Sequence, residues 1–307
     1  MRKPDPISGV IAIPQTPFDD LDGLDLDSLA RGVADRLTAR VDGLLYPVVA
    51  SEASRLTDAE RRRATRVVLD QAAGVVPVIV GASSDDPAAA RRLAEFALEH
   101  GAAGVLVQAP AAMLRDEFAL IAYFRAVCEV PIPLLMIQDL EWGGPGLPLP
   151  TVVHLADELE PFRAIKIETV PAGPKYSAVL AATGGRLAVC AGWAVPYLVE
   201  ALDRGIHAVT PGGLHWVISE VVRRYRAGDR PAARELFGRL LPILGWQNQH
   251  IDISNQFLKL LAVRQGIFAT ARLRRPDVPF DDVHRRIAEE LIEEAVALHT
   301  EIGWRLA

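Results

Sequence analysis

Apolar residues in this chain fall into two alternating periods. Short runs rich in Val, Ile and Leu recur at regular intervals, and longer stretches between them carry apolar residues at helical spacing. The runs predict strands over residues 10–13, 43–49, 75–80, 104–108, 133–138, 164–167, 186–191 and 208–210. Thr57-Asp58-Ala59-Glu60 reads as a capping box, and Asp86-Pro87 places proline at a first helical position. Helical patterns over 25–40, 116–127, 151–159 and 195–204 fill further crossovers. Eight such alternations predict parallel strands covered by helices, an α/β chain folded as a TIM (β/α)8 barrel. An open doubly wound sheet would want a glycine-rich turn after its first strand, where Pro14-Gln15-Thr16-Pro17 stands instead. Beyond about residue 213 the alternation stops, and the remainder reads as roughly three or four helices, punctuated by Pro231, Pro242 and Pro276. The expected organisation is a barrel core over 1–212. Residues 213–307 then supply the last barrel helix and an appended C-terminal helical bundle, packed as part of one domain.

Composition narrows the function more than the fold. Of 307 residues, 50% are apolar and 23% charged, enough for a large core and too ordered a balance for a disordered chain. The net charge of −6, with no concentrated basic patch, argues against nucleic acid. The run Arg61-Arg62-Arg63 fits a solvated helix face. No apolar stretch is long enough to span a bilayer, and the short polar segment 1–6 lacks the pattern of a signal peptide, so a cytoplasmic location is expected. Cys128 and Cys190 lie in apolar segments as free buried thiols of a reducing compartment. The seven His are scattered, so neither a metal nor another cofactor is expected.

Lysine is scarce, occurring only as Lys3, Lys166, Lys175 and Lys259. In the segment from Phe162 to Glu168, strand alternation turns Ile165 and Ile167 toward the helices and leaves Ala164 and Lys166 facing the barrel interior. A lysine there is costly unless it is paired or sheds its proton. A neutral amine is also the form that attacks a carbonyl, which a guanidinium cannot do. On the strand pattern alone a buried ion pair, with Glu168 or another barrel carboxylate, stands equally open.

Several segments, in order along the chain, resemble the dihydrodipicolinate synthase / N-acetylneuraminate lyase family. Ile13-Pro14-Gln15-Thr16-Pro17-Phe18 with Asp22-Gly23 resembles its first strand and loop. Gly43 to Glu52, followed by Leu56-Thr57 and Glu60-Arg61, resembles its second strand, substrate loop and helix. Pro77-Val78-Ile79-Val80-Gly81 is similar to the third strand, and Ala164-Ile165-Lys166-Ile167-Glu168 to the sixth. Gly192, Gly205 and a helical tail with Lys259 also fit. The resemblance implies that Lys166 is the catalytic, imine-forming lysine and that the chain forms a homo-dimer or homo-tetramer.

The departures from the family pattern are specific. Typical members hold a substrate carboxylate with a Gly-Thr-Thr-Gly-Glu turn, which here reads Val48-Val49-Ala50-Ser51-Glu52, leaving Ser51 and backbone amides around Ala50 as substitutes. Typical members also relay protons through a tyrosine on strand five. Ile137 aligns with it, and one-residue shifts bring Met136 or Gln138 there; none is an acid. The tyrosine following strand four is replaced as well, since Ala111 and Ala112 follow Pro110.

Class I aldol chemistry needs an acid/base group near the imine. Candidates around strand ends are Tyr46, Gln108, Gln138, Asp139, Glu168, Trp193 and His207, with Gly192 and Val209 expected as further substrate-binding positions. Asp139 and Glu168 follow neighbouring strands and are expected to flank the lysine, one of them as base. The competing structural roles are plain: Asp139 as a loop cap, Tyr46 and His207 in the core, Trp193 lining a pocket. Lys175, after the Pro171 and Pro174 loop, is expected to face solvent at a helix start, with attraction of an anionic substrate as the alternative. Two functions follow. One is a Schiff-base lyase or aldolase acting on a small 2-oxo acid or related carbonyl compound, divergent from authentic dihydrodipicolinate synthase. The other is a non-catalytic barrel that binds a small molecule, as a sensor or an assembly subunit.

Overall fold

The computed structural model of the chain describes residues 7–192 and 195–303. Its strands are β1 (Gly9–Ala12), β2 (Gly43–Tyr46), β3 (Val78–Gly81), β4 (Gly104–Gln108), β5 (Leu135–Leu140), β6 (Phe162–Glu168), β7 (Ala188–Ala191) and β8 (Ala208–Val209). They form a closed barrel in sequence order, and the paired strands run parallel. The alternating pattern therefore closes as expected, with shifted strand ends. β2 stops at Tyr46 because Pro47 has no N–H for a ladder. Val75 and Val76 lie in the turn that follows the preceding helix, their amides donating to Ala72 O, so β3 starts only after Pro77. β5 and β6 run further toward their C-terminal ends because they pair in register through Asp139↔Ile167 and Leu140↔Glu168.

The helices between and after the strands are α1 (Leu26–Thr38), α2 (Asp58–Ala72), α3 (Pro87–Glu99), α4 (Glu117–Val127), α5 (Leu149–Glu158), α6 (Ala172–Thr183) and α7 (Leu198–Asp203). They continue with α8 (His215–Arg226), α9 (Arg230–Gln247), α10 (Ile251–Arg264) and α11 (Asp282–Glu301). Local chemistry starts several of them: Asp25, Thr57, Asp86 and Asp116 each accept a first-turn N–H, and Thr57 and Glu60 complete both halves of the capping box. Pro231 sits in the first turn of α9, Pro242 lies inside that helix, and Pro276 falls between α10 and α11.

The chain divides into two compact units. One comprises Pro77–Thr210 with the described residues up to Ile11. Its core is aliphatic, with Val105, Leu106, Val107, Met136, Ile137, Ile165 and Val189 fully buried on β4 to β7. The other joins Ala12–Val76 to the residues from Pro211 onward. There the segment linking α10 to α11 clamps the first two helices' entry loops. The Arg274 guanidinium donates to both Glu60 oxygens at 2.9 and 2.7 Å and stacks 4.1 Å from the ring centre of buried Phe18, while Thr270 Oγ1 donates to Phe18 O at 2.6 Å. Cys190 is buried, whereas Cys128 is only half-buried, since it caps α4 near the surface.

Candidate active site

Alternation along β6 puts Lys166 and Glu168 on one face, because residues two apart in a strand point the same way. Lys166 is 2% exposed, and its Nζ donates to Glu168 Oε2 at 2.7 Å. Gln138 Nε2 donates to the same carboxylate oxygen. Strand register explains this convergence: Gln138 pairs with Lys166, which pairs in turn with Cys190. Ile137 pairs with Ile165 on the other face, so the β5 residue on the lysine's side is an amide. Burial pushes the Cys190 thiol up to about 12, keeping it protonated and unreactive. Gly192, just beyond β7, packs directly on the carboxylate arm; a Cβ there would lie 2.2 Å from Glu168 Cγ. The result is a largely buried amine–carboxylate–amide cluster.

Asp139 does not flank the lysine as expected. It shares the outward side of β5 with its register partner Ile167, is fully buried, accepts from Leu147 N at 2.8 Å and pairs with Lys175 Nζ at 2.5 Å. Burial raises its carboxyl, and Lys175 opposes that rise. Lys175 correspondingly does not face solvent: its side chain is 11% exposed, burial lowers its amine, and it also donates to Pro145 O. Around this pair the β5–α5 loop is strapped. Glu141 accepts from Gly146 N at 2.6 Å and from Arg115 at 2.8 and 3.0 Å, while Arg115 also reaches Gly146 O at 2.8 Å. Gly146 adopts a positive φ of 67° against Asp139, where any side chain would collide. Only the glycines and prolines of this loop were visible to sequence reading; its ion pairs were not.

In the second unit, Ala50 and Ser51 lie in a short turn, Val49–Ser51, beyond β2. Ser51 is fully buried and its donors are spent internally, N–H to Val48 O at 2.8 Å and hydroxyl to Pro14 O at 2.8 Å. Thr16 Oγ1 donates to Ser51 O at 2.6 Å, which leaves the Tyr46 hydroxyl as the donor across its 2.9 Å contact with Thr16. Burial raises the Tyr46 hydroxyl further, so Tyr46 and Ser51 form a structural chain. Next in line, Glu52 is left-handed at φ 56°, accepts from Arg274 N at 3.1 Å and holds Lys259. Lys259 is fully buried, lowered to about 8 by burial, donates to Arg272 O at 2.7 Å and lies 4.5 Å from the Phe18 ring centre. No spacing rule could have linked Glu52 to Lys259.

The remaining candidates separate by position. His207 precedes β8 and so lies at the N-terminal end of its strand, away from the end where barrel sites form; its Nδ1 accepts from Val189 N at 3.1 Å. Val209 ends β8 and is buried, and Gln108 ends β4 with its N–H held by Ser83 Oγ at 2.9 Å. Trp193 lies outside the described residues. Among the described residues no group of three His, Cys, Asp or Glu could hold a metal, and no helix is long and apolar enough to cross a membrane.

A sequence model of the dihydrodipicolinate synthetase family matches residues 6–295. The chain belongs to that family. Within it, the chain is 30% identical over 293 residues to an L-2-keto-3-deoxyarabonate dehydratase of Azospirillum brasilense, covering 92% of each protein. It is 29% identical over 242 residues to a 4-hydroxy-tetrahydrodipicolinate synthase of Methanopyrus kandleri, covering 77% of this chain and 80% of that one. The crystal structure of dihydrodipicolinate synthase from Rhodopseudomonas palustris superposes with a TM-score of 0.84 at 24% identity, covering 94% of this chain and 97% of that one. Family members of this kind are lyases and dehydratases, and the same barrel thus hosts at least two reactions.

Proposed function

We propose that this family member is a class I lyase that binds a small 2-oxo acid as an imine on Lys166 and carries out a dehydration or retro-aldol step. The observation that carries the reading is the buried Lys166–Glu168 contact at 2.7 Å, completed by Gln138. Glu168 takes the ammonium proton, freeing the amine to attack the carbonyl, and returns that proton to the carbinolamine hydroxyl, which leaves as water to give the protonated imine and restores the carboxylate. The imine acidifies the neighbouring carbon, and the same carboxylate removes its proton to give an enamine. If the substrate bears a hydroxyl one carbon further on, the enamine expels it as water, with Glu168 returning the proton. Glu168 thereby does the work of the family's strand-five tyrosine. The 30% identity to a dehydratase favours elimination over carbon–carbon cleavage. The reading extends to a homo-dimer or homo-tetramer.

Internal use of the Ser51 and Tyr46 donors favours a second reading, a barrel that binds a carbonyl compound without turning it over. One experiment separates the two. The protein is incubated with pyruvate and a panel of 2-oxo acids, reduced with borohydride, and its intact mass measured. A mass gain absent from Lys166→Ala supports the lyase; no adduct from the folded protein with any member of the panel sinks it.

A further inference from the structure

Helix α8 begins without a cap. Leu214, the residue before its first turn, is left-handed at φ 55°, and no side chain satisfies the free N–H groups there. These groups carry the positive end of a twelve-residue helix dipole. Gly213, Leu214 and His215 line a cavity of about 20 Å³, room for one water or one ion of similar size. Arg36 and Asp35 of α1 form another wall, and the apolar side chains of Leu258 and Phe268 close it.

In this lining, Arg36 Nε and His215 Nδ1 are buried with no hydrogen-bond partner. Arg36 is 4% exposed and His215 5%. The other guanidinium nitrogens of Arg36 are occupied, by Gly32 O at 2.8 Å, Gln15 Oε1 at 2.9 Å, Ile13 O at 3.1 Å and Gly212 O at 3.2 Å. His215 Nε2 faces Asp35 Oδ2 at 2.8 Å and must donate to it, so Nδ1 is a bare lone pair while the ring is neutral. Asp35 Oδ1 takes Trp216 Nε1 at 3.0 Å, which leaves the carboxylate turned to its donors.

We propose that this cavity is a proton-coupled anion site, which takes one halide-sized anion when His215 is protonated. With His215 neutral, Arg36 and Asp35 cancel, and a single water satisfies both orphan atoms by accepting from Arg36 Nε–H and donating to His215 Nδ1. A proton on His215 turns Nδ1 into a second donor and leaves the cavity with one net positive charge beside the helix N-terminus. The lining then matches a small anion in charge, donor number and size. The remaining facing groups do not compete. His299 of α11 stays neutral, burial holding it down to about 3, with Nδ1 engaged by Gln265 Nε2 of α10 at 2.8 Å; Gln15 is already bonded to Arg36. Burial lowers His215 against the pull of Asp35, so the site empties toward neutral pH and fills below it. One proton per anion makes the apparent affinity rise about tenfold for each unit that pH falls while His215 is mostly neutral.

The test uses the intact chain at constant ionic strength, exchanging gluconate for chloride or bromide at about pH 5.5 and about pH 8, across the range in which a histidine titrates. Melting temperature is expected to rise with halide at the lower pH and stay flat at the higher, and His215→Asn is expected to abolish the rise while His299→Gln keeps it. A crystal soaked in bromide at the lower pH is expected to show an anomalous peak between Arg36 Nε and His215 Nδ1. An equal halide effect at both pH values, no effect at the lower pH, or bromide absent from the cavity overturns the assignment. None of these readouts depends on catalysis.

Discussion

Replacing Glu168 with Gln isolates the proton transfer proposed for this carboxylate. The substitution preserves length and planarity, and the new amide oxygen can still accept from both Lys166 Nζ and Gln138 Nε2. What disappears is the negative charge and the basicity 2.7 Å from the amine. Removing a positioned acid/base group costs about 100- to 10,000-fold in turnover, equivalent to about 2.7–5.5 kcal/mol of activation free energy. Stability needs a separate control, because stripping one partner from a buried pair costs about 3–5 kcal/mol when the other charge is left uncompensated. The retained amide is expected to soften that loss, whereas Glu168→Leu is expected to suffer it fully. Two assays are run side by side: turnover with the 2-oxo acid that wild type traps best, and borohydride capture read by intact mass. Glu168→Gln is expected to trap the adduct more slowly, since no carboxylate takes the ammonium proton, and to fail in turnover. Turnover within about threefold of wild type, in a folded variant, would falsify the assignment of Glu168 as the proton carrier. Adduct trapped as fast as in wild type, in a folded variant, would also refute it, since the ammonium proton would then leave without Glu168.

Gly192→Ala forces a methyl group to within 2.2 Å of Glu168 Cγ, so the carboxylate must swing away; turnover should fall at least about tenfold with a destabilisation of about 1–3 kcal/mol, and unchanged kinetics would show that the carboxylate does not need this close approach. Lys175→Met strands the fully buried Asp139 and should cost about 3–5 kcal/mol by urea unfolding, most of it regained when Asp139→Asn is added; a loss below about 1 kcal/mol contradicts the buried pairing. Burial holds His299 down to about 3 when folded, against the ordinary histidine value of 6.5 in the unfolded chain, so between those values the unfolded chain holds more protons and stability declines as pH falls through that window. In halide-free buffer His299→Gln should flatten this decline by up to about 1.4 kcal/mol per pH unit, and an unaltered acid slope argues that the ring is not held neutral.

What the sequence determined by itself is what local geometry governs. The period of the apolar residues distinguished strands from helices, because two-residue and 3.6-residue repeats place side chains on incompatible faces. Side-chain oxygens three residues from the amides they bind set helix starts, as at Thr57 and Asp116. The same locality put Lys166 and Glu168 on one face of β6, since alternation within a strand does not depend on its neighbours. Everything that depends on register or on distant segments needed the tertiary structure. Ile137, Met136 and Gln138 were equivalent choices along the chain, and only the pairing Gln138↔Lys166 selects the amide, because a one-residue slip reverses every side chain. His207 is a strand-end residue in either view, but at the wrong end, a distinction that strand boundaries decide. Asp139 and Lys175 look like independent loop residues until packing brings them together, and Glu52 meets Lys259 only through the docking of α10 within its unit. Buried charges find partners by proximity in space, and a linear pattern of polar and apolar positions carries no record of it.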